Sequence, residues 1–129
     1  MTPDLTHIWL LVDDMPRALH FYRDTLGLEV ANNLGQYVEL KASGGFMLAL
    51  FERAAHQAGE PAIALSPVSG QRTTLAFEVE SPDASYASLR AQGVEFASVP
   101  TNQADWGLRT VFLRDPDGNL LCLYGGIPA

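Results

Sequence analysis

The chain has 129 residues, 47% of them hydrophobic, and a formal net charge of −7; that is enough apolar chain for one globular domain with a buried core. Its eight Lys and Arg are scattered among fifteen Asp and Glu, which argues against nucleic acid or an anionic membrane as a partner. No apolar run approaches the ~20 residues of a membrane span, the opening MTPDLTHIWL lacks a secretory leader's basic start, and a single Cys rules out an internal disulfide, so the default compartment is the cytoplasm.

The first predicted strand has alternating faces, Ile8, Leu10 and Val12 against His7, Trp9 and Leu11. A helix follows, with Asp13 or Asp14 as its cap, Pro16 in its first turn and Gly27 as its stop. Met15, Leu19, Tyr22 and Leu26 recur along it at helical spacing. Residues 37–51, YVELKASGGFMLALF, read as two strands joined through a glycine turn, and residues 53–72, rich in Ala, Gly, Pro and Ser, as a linker. The pattern then starts again. Leu75, Phe77 and Val79 form one strand face, Ser81 and Pro82 open a helix with Tyr86 and Leu89 on its inner side, and Gly93 ends it. Residues 110–124, TVFLRDPDGNLLCLY, close as a hairpin on Asp117-Gly118.

Residues 37–51 and 110–124 match without a gap at a shift of 73 positions. Val38 falls on Val111, Leu40 on Leu113, Lys41 on Arg114, Gly45 on Gly118, Leu48 on Leu121, Leu50 on Leu123, Phe51 on Tyr124 and Ala49 on Cys122. The fold class is therefore α+β: module one over residues 5–52, the linker over 53–72, and module two over 73–125. The aliphatic faces (Ile8, Leu10, Val12, Val38, Leu40, Leu48, Leu50 and their counterparts) suit burial under the helices. The opposite faces carry His7, Trp9, Tyr37, Glu39, Met47, Ala49 and Phe51 in one copy, and Thr74, Ala76, Glu78, Thr110, Phe112, Leu120, Cys122 and Tyr124 in the other. That mixture of aromatic and polar groups suits either a small-molecule cleft or an interface.

THIWLLVDDMPRALHFYRDTLGLEV and WGLRTVFLRDPDGNLLCLY, with the twin helix starts, resemble the vicinal oxygen chelate superfamily of glyoxalase I, bleomycin-resistance proteins, fosfomycin-resistance transferases and extradiol dioxygenases. The resemblance runs from about Thr6 to Tyr124 and implies two βαβββ modules curled into an open cup-shaped barrel, completed in a homodimer. Metal-using members carry ligands at positions that correspond here to His7, Ala49, Thr74 and Cys122. Ala49 has no donor atom and Thr74 offers a neutral hydroxyl, whereas a catalytic divalent metal needs about three protein ligands. No cofactor is expected on that reading; the alternative is a divalent metal recruited through His7 with Glu39 or Glu78 as further donors.

Whether the chain is an enzyme stays open at this stage. The leading expectation is a metal-independent, drug-sequestering protein like the bleomycin-resistance branch, a link to antibiotic resistance, whose partner is a small organic molecule, aromatic or cationic. Trp9, Phe51, Trp106, Phe112 and Tyr124 would supply stacking surface, and Glu39, Glu78 and Arg109 polarity. Trp106 closes over a ligand or caps an interface; Arg109 meets a ligand's carboxylate or phosphate or faces water. The alternative is a lyase, isomerase or dioxygenase relative using a recruited metal or His7 as general base. Cys122 is then a nucleophile beside His7, or simply a small buried residue. His20 and His56 are expected to have no role.

Overall fold

Within each half, the order of strands follows from which segments can share an aliphatic face. A computed structural model of the chain describes residues 4–58 and 73–129. Its contacts divide into two compact units, Met1–Pro67 and Val68–Ala129.

In the first unit, β1 (His7–Val12), β2 (Val30–Asn33), β3 (Tyr37–Lys41) and β4 (Met47–Glu52) form one sheet in the order β1-β4-β3-β2. β1 runs parallel to β4, and β3 antiparallel to it. Leu10, Val12, Val38, Leu40, Leu48 and Leu50 are buried as the alternation requires. The helix α1 (Met15–Leu19) begins where Asp14 Oδ1 accepts from the Arg17 N–H at 3.2 Å, with Pro16 in its first turn. It widens into a π-helical turn over His20–Thr25, closed by Leu26 N–H donating to the Phe21 carbonyl at 2.9 Å. The wider turn lets the neighbours Phe21 and Tyr22 both reach the core, which a 3.6-residue period alone did not foretell. Gly27, at φ 83°, stops the helix in a conformation that costs glycine little.

The second unit repeats the plan. β5 (Thr74–Glu78), α3 (Pro82–Ala91), β6 (Thr101–Gln103), β7 (Leu108–Arg114) and β8 (Leu120–Gly126) give a sheet ordered β5-β8-β7-β6. Ser81 Oγ caps α3 on the Ala84 N–H at 3.1 Å. Val111 pairs with Leu123 and Leu113 with Leu121, as Val38 pairs with Leu50 and Leu40 with Leu48. The hairpins close with corresponding bonds, Ala42 N–H to the Phe46 carbonyl at 2.9 Å and Asp115 N–H to the Asn119 carbonyl at 3.0 Å.

The predicted linker begins with a short helix, α2 (Arg53–Gln57), directly after β4. The rest of that predicted linker, residues 59–72, lies outside the described residues.

Candidate functional site

The face of the first sheet opposite its aliphatic side holds the densest polar and aromatic arrangement. Because β1 and β3 flank β4, Trp9, Ala49 and Glu39 lie in one row across three strands, with His7 one row to one side and Phe51 and Tyr37 one row to the other. Ala49 is fully buried, and its small side chain leaves room for groups from β1 and β3 to meet across β4. His7 Nε2 lies 2.8 Å from Glu39 Oε2, and the Tyr37 hydroxyl donates to the same oxygen at 2.7 Å.

The Tyr37 hydroxyl first, and then His7, hold the Glu39 carboxyl below the usual carboxylate range, against an opposing effect of partial burial. An ionised carboxylate only accepts, so His7 Nε2 carries the proton; Nδ1 of a neutral ring then accepts from the Thr6 hydroxyl at 2.8 Å. Burial, reinforced by the Glu39 carboxylate, pushes the Tyr37 phenol up. The chain Tyr37–Glu39–His7–Thr6 is thus a connected network in which both nitrogens of His7 are engaged.

Beside the network stands an aromatic wall. Trp9 meets Phe51 at 5.4 Å and Tyr37 at 6.2 Å between ring centroids, and Tyr37 meets Phe51 at 5.2 Å, all edge to face. His56, projecting from α2, packs edge-on against Phe51 at 5.2 Å and Trp9 at 6.0 Å. Its buried Nδ1 has no hydrogen-bond partner among the described residues. A concavity of about 540 Å³ opens at this wall, lined by Asp4, Leu5, Thr6, His7, Trp9 and Tyr37.

Sequence reasoning placed His7, Trp9, Glu39 and Phe51 in a site, and the structure brings these four together. It set aside His56, which the structure puts in the aromatic wall; the helix-favouring run ERAAHQ after β4 was the available signal. Tyr37 had been placed on the right face without a role, although it stands two residues from Glu39 on the same strand face.

The remaining candidates lie in the second unit. Phe112 and Cys122 are direct neighbours across β7 and β8, as are Thr110 and Tyr124, while Glu78 pairs with Tyr124. Phe112 and Tyr124 are half-buried and Glu78 is exposed. Trp106 is exposed in a one-turn helix, Ala104–Trp106, and Gly107 turns left-handed after it. Cys122 is buried, and that burial pushes its thiol up, so the neutral form that is a poor nucleophile is favoured.

Arg109 departs from expectation. It shares a strand face with Val111 and Leu113, the helix side, and its guanidinium closes on Asp83 in α3 through Nε at 2.8 Å and Nη2 at 3.0 Å. Nη1 donates to Asn102 Oδ1 at 2.8 Å. The anion that Arg109 meets is the chain's own Asp83, because a two-residue alternation places it with the aliphatic set and away from Thr110 and Phe112.

The description of the Glyoxalase/Bleomycin resistance protein/Dioxygenase superfamily matches residues 4–123. The chain belongs to that superfamily. Among curated proteins it is 33% identical over 124 residues to the uncharacterized protein YraH of Bacillus subtilis (strain 168), covering 93% of this chain and 96% of that protein. It is 27% identical over 128 residues to the metallothiol transferase FosB of Shouchella clausii (strain KSM-K16), covering 98% and 82%. Among solved structures, lactoylglutathione lyase from Agrobacterium tumefaciens superposes with a TM-score of 0.73 at 26% identity, over 95% of this chain and 93% of that one.

The donor set does not fit the metal that some superfamily members use. Of the four corresponding positions, His7 has both nitrogens engaged, Ala49 has no donor, Thr74 bears a neutral hydroxyl, and Cys122 is a buried thiol. Among the described residues, no group of three or more His, Cys, Asp or Glu is placed to hold a metal ion.

Proposed function

We propose that this chain binds a small organic molecule on the face of its first sheet opposite the aliphatic one, without a metal ion, and sequesters it as the bleomycin-resistance branch of its superfamily does. One observation carries the reading: a hydrogen-bonded Tyr37–Glu39–His7 network beside an aromatic wall, at a concavity of about 540 Å³. Ligand sites are mostly apolar with a few fixed polar groups, and this face has that composition. The protein works as a cytoplasmic homodimer in this proposal, and the bound molecule is a toxic compound such as an antibiotic. Among the described residues no helix is long and apolar enough to cross a membrane.

A second reading is favoured by the ionised Glu39 beside His7, a pair suited to accepting a proton from a bound substrate. The similarity to a lyase and to a transferase is in keeping with it. Two measurements separate the readings. Elemental analysis of the purified protein should find metal well below one equivalent, unchanged by His7→Ala; near-stoichiometric Zn, Ni, Mn or Fe that the substitution removes defeats the metal-free proposal. Tryptophan fluorescence against a panel of compounds identifies binders. A binder recovered chemically intact after prolonged incubation supports sequestration, and conversion supports the enzyme.

A further inference from the structure

We infer that the molecule bound at the first sheet is an organic cation, an ammonium or similar charged head carried on a flat apolar body. This inference rests on the small-molecule reading above and adds the chemistry of the ligand.

The charges around the concavity are one-sided. Asp4 lines it, and the Glu39 carboxylate is hydrogen-bonded to two further lining residues, His7 and Tyr37, with 18% of its side chain still exposed. None of the six lining residues is Lys or Arg. Two basic side chains close to this face in register or sequence have carboxylate partners of their own: Lys41, in the row of His7 and Met47, pairs with Glu29 at 3.3 Å, and Arg53, at the start of α2, pairs with Asp13 at 3.7 Å. An anionic ligand would meet Asp4 with no Lys or Arg among the described lining residues to offset it, whereas a cation meets a negative field.

The aromatic wall favours the same charge. Trp9 is 52% exposed, and its edge-to-face neighbours Phe51, Tyr37 and His56 hold the indole in one orientation. Indole is the strongest of the side-chain cation–π acceptors, and a quaternary ammonium keeps little hydration to lose on reaching it. The surplus of acidic residues over the whole chain, fifteen against eight basic, adds long-range attraction for a cation approaching from solution.

The test is calorimetric titration of the full chain with (3-hydroxyphenyl)trimethylammonium and with 3-tert-butylphenol, its uncharged counterpart of nearly equal shape. The ammonium is expected to bind about 10-fold more tightly at low salt. Glu39→Gln should narrow the gap between the two affinities, leaving the share due to Asp4 and Trp9, whereas Tyr37→Phe, which keeps both the ring and the carboxylate, should preserve the full preference. Should Glu39→Gln fail to fold, the wild type answers alone: raising NaCl from about 50 to about 500 mM should weaken the ammonium and leave the phenol unchanged. Equal or tighter binding of the phenol overturns the cation and leaves small-molecule binding standing. Binding of neither probe overturns both, and if Trp9→Leu then converts a dimer to a monomer in sedimentation, a second copy of the chain is the occupant of this face.

Discussion

The two modules have the same ladder and different faces. Row by row, His7–Met47–Lys41 corresponds to Thr74–Leu120–Arg114, Trp9–Ala49–Glu39 to Ala76–Cys122–Phe112, and Leu11–Phe51–Tyr37 to Glu78–Tyr124–Thr110. Apart from Arg109, the helix-facing residues remain apolar in both, because a slip of one residue would turn the whole set outward. The opposite faces carry no such constraint. Module one joins an imidazole to a carboxylate across an alanine; module two has a hydroxyl, a phenyl ring and a buried thiol in the corresponding places, and its main charged contact, Arg109 with Asp83, lies on the other side of the sheet. The duplicated scaffold thus preserved packing while the two copies placed their charged networks on opposite sides of the sheet.

The hairpins teach the same lesson locally. In module two the buried Asp115 carboxylate accepts from the backbone of Asp117 and Asn119 and from the Asn119 side chain, at 3.0, 2.7 and 2.9 Å. Module one makes its turn with two consecutive left-handed glycines, Gly44 and Gly45, and no such carboxylate. The two turns close with corresponding backbone bonds by different paths: Gly45 and Gly118 both have positive φ, but Gly44 is also left-handed at φ 73° where its counterpart Asp117 is not, and Asp115 supplies side-chain acceptors instead.

Five substitutions test how far the likeness extends. Leu50→Ala and Leu123→Ala remove equivalent buried side chains, and each should lower unfolding stability by about 2–5 kcal/mol in denaturant melts. A large difference between them would show that the two cores are not equivalent. Gly125→Ala probes a close approach special to module two, where a new Cβ would lie 2.7 Å from the Val79 carbonyl oxygen and 3.0 Å from Pro82 Cδ; a loss of about 1–3 kcal/mol is expected from overpacking against backbone. Asp83→Asn should cost less and do so only in one pH range. Arg109 holds the Asp83 carboxyl below its ordinary value of 3.8, so the stabilisation is present above that pH and fades as pH falls through the lowered value. Wild type and variant should therefore differ at neutral pH and converge in acid, and a constant difference at all pH would show that Asp83 acts through packing alone. The smallest effect belongs to the part-exposed network of module one. His7→Ala should leave the melting temperature almost unmoved while changing the response of the protein to ligands, the opposite of what the Leu50 variant shows.

Much of the fold was legible in the residues. Strict alternation named the buried faces, Asp13 or Asp14 and Ser81 with their following prolines marked both helix starts, and the shared turn glycine disclosed the duplication. The site was only partly legible. His7, Trp9, Glu39 and Phe51 were visible as occupants of one face, and Ala49 as a missing metal ligand, but nothing in the chain said that Glu39 would reach His7. Arg109 looked available for a ligand because its partner Asp83 is 26 residues away. His56 looked idle because its segment was taken as linker.

By itself the sequence determined which side of each strand is buried, where each helix starts, and that the plan occurs twice, since these depend on spacings of two to four residues and on turn chemistry that acts locally. Tertiary structure alone decided which polar groups meet. Placing β4 between β1 and β3 brings residues 32 positions apart within hydrogen-bond reach, and such pairings depend on strand order, which no local spacing encodes.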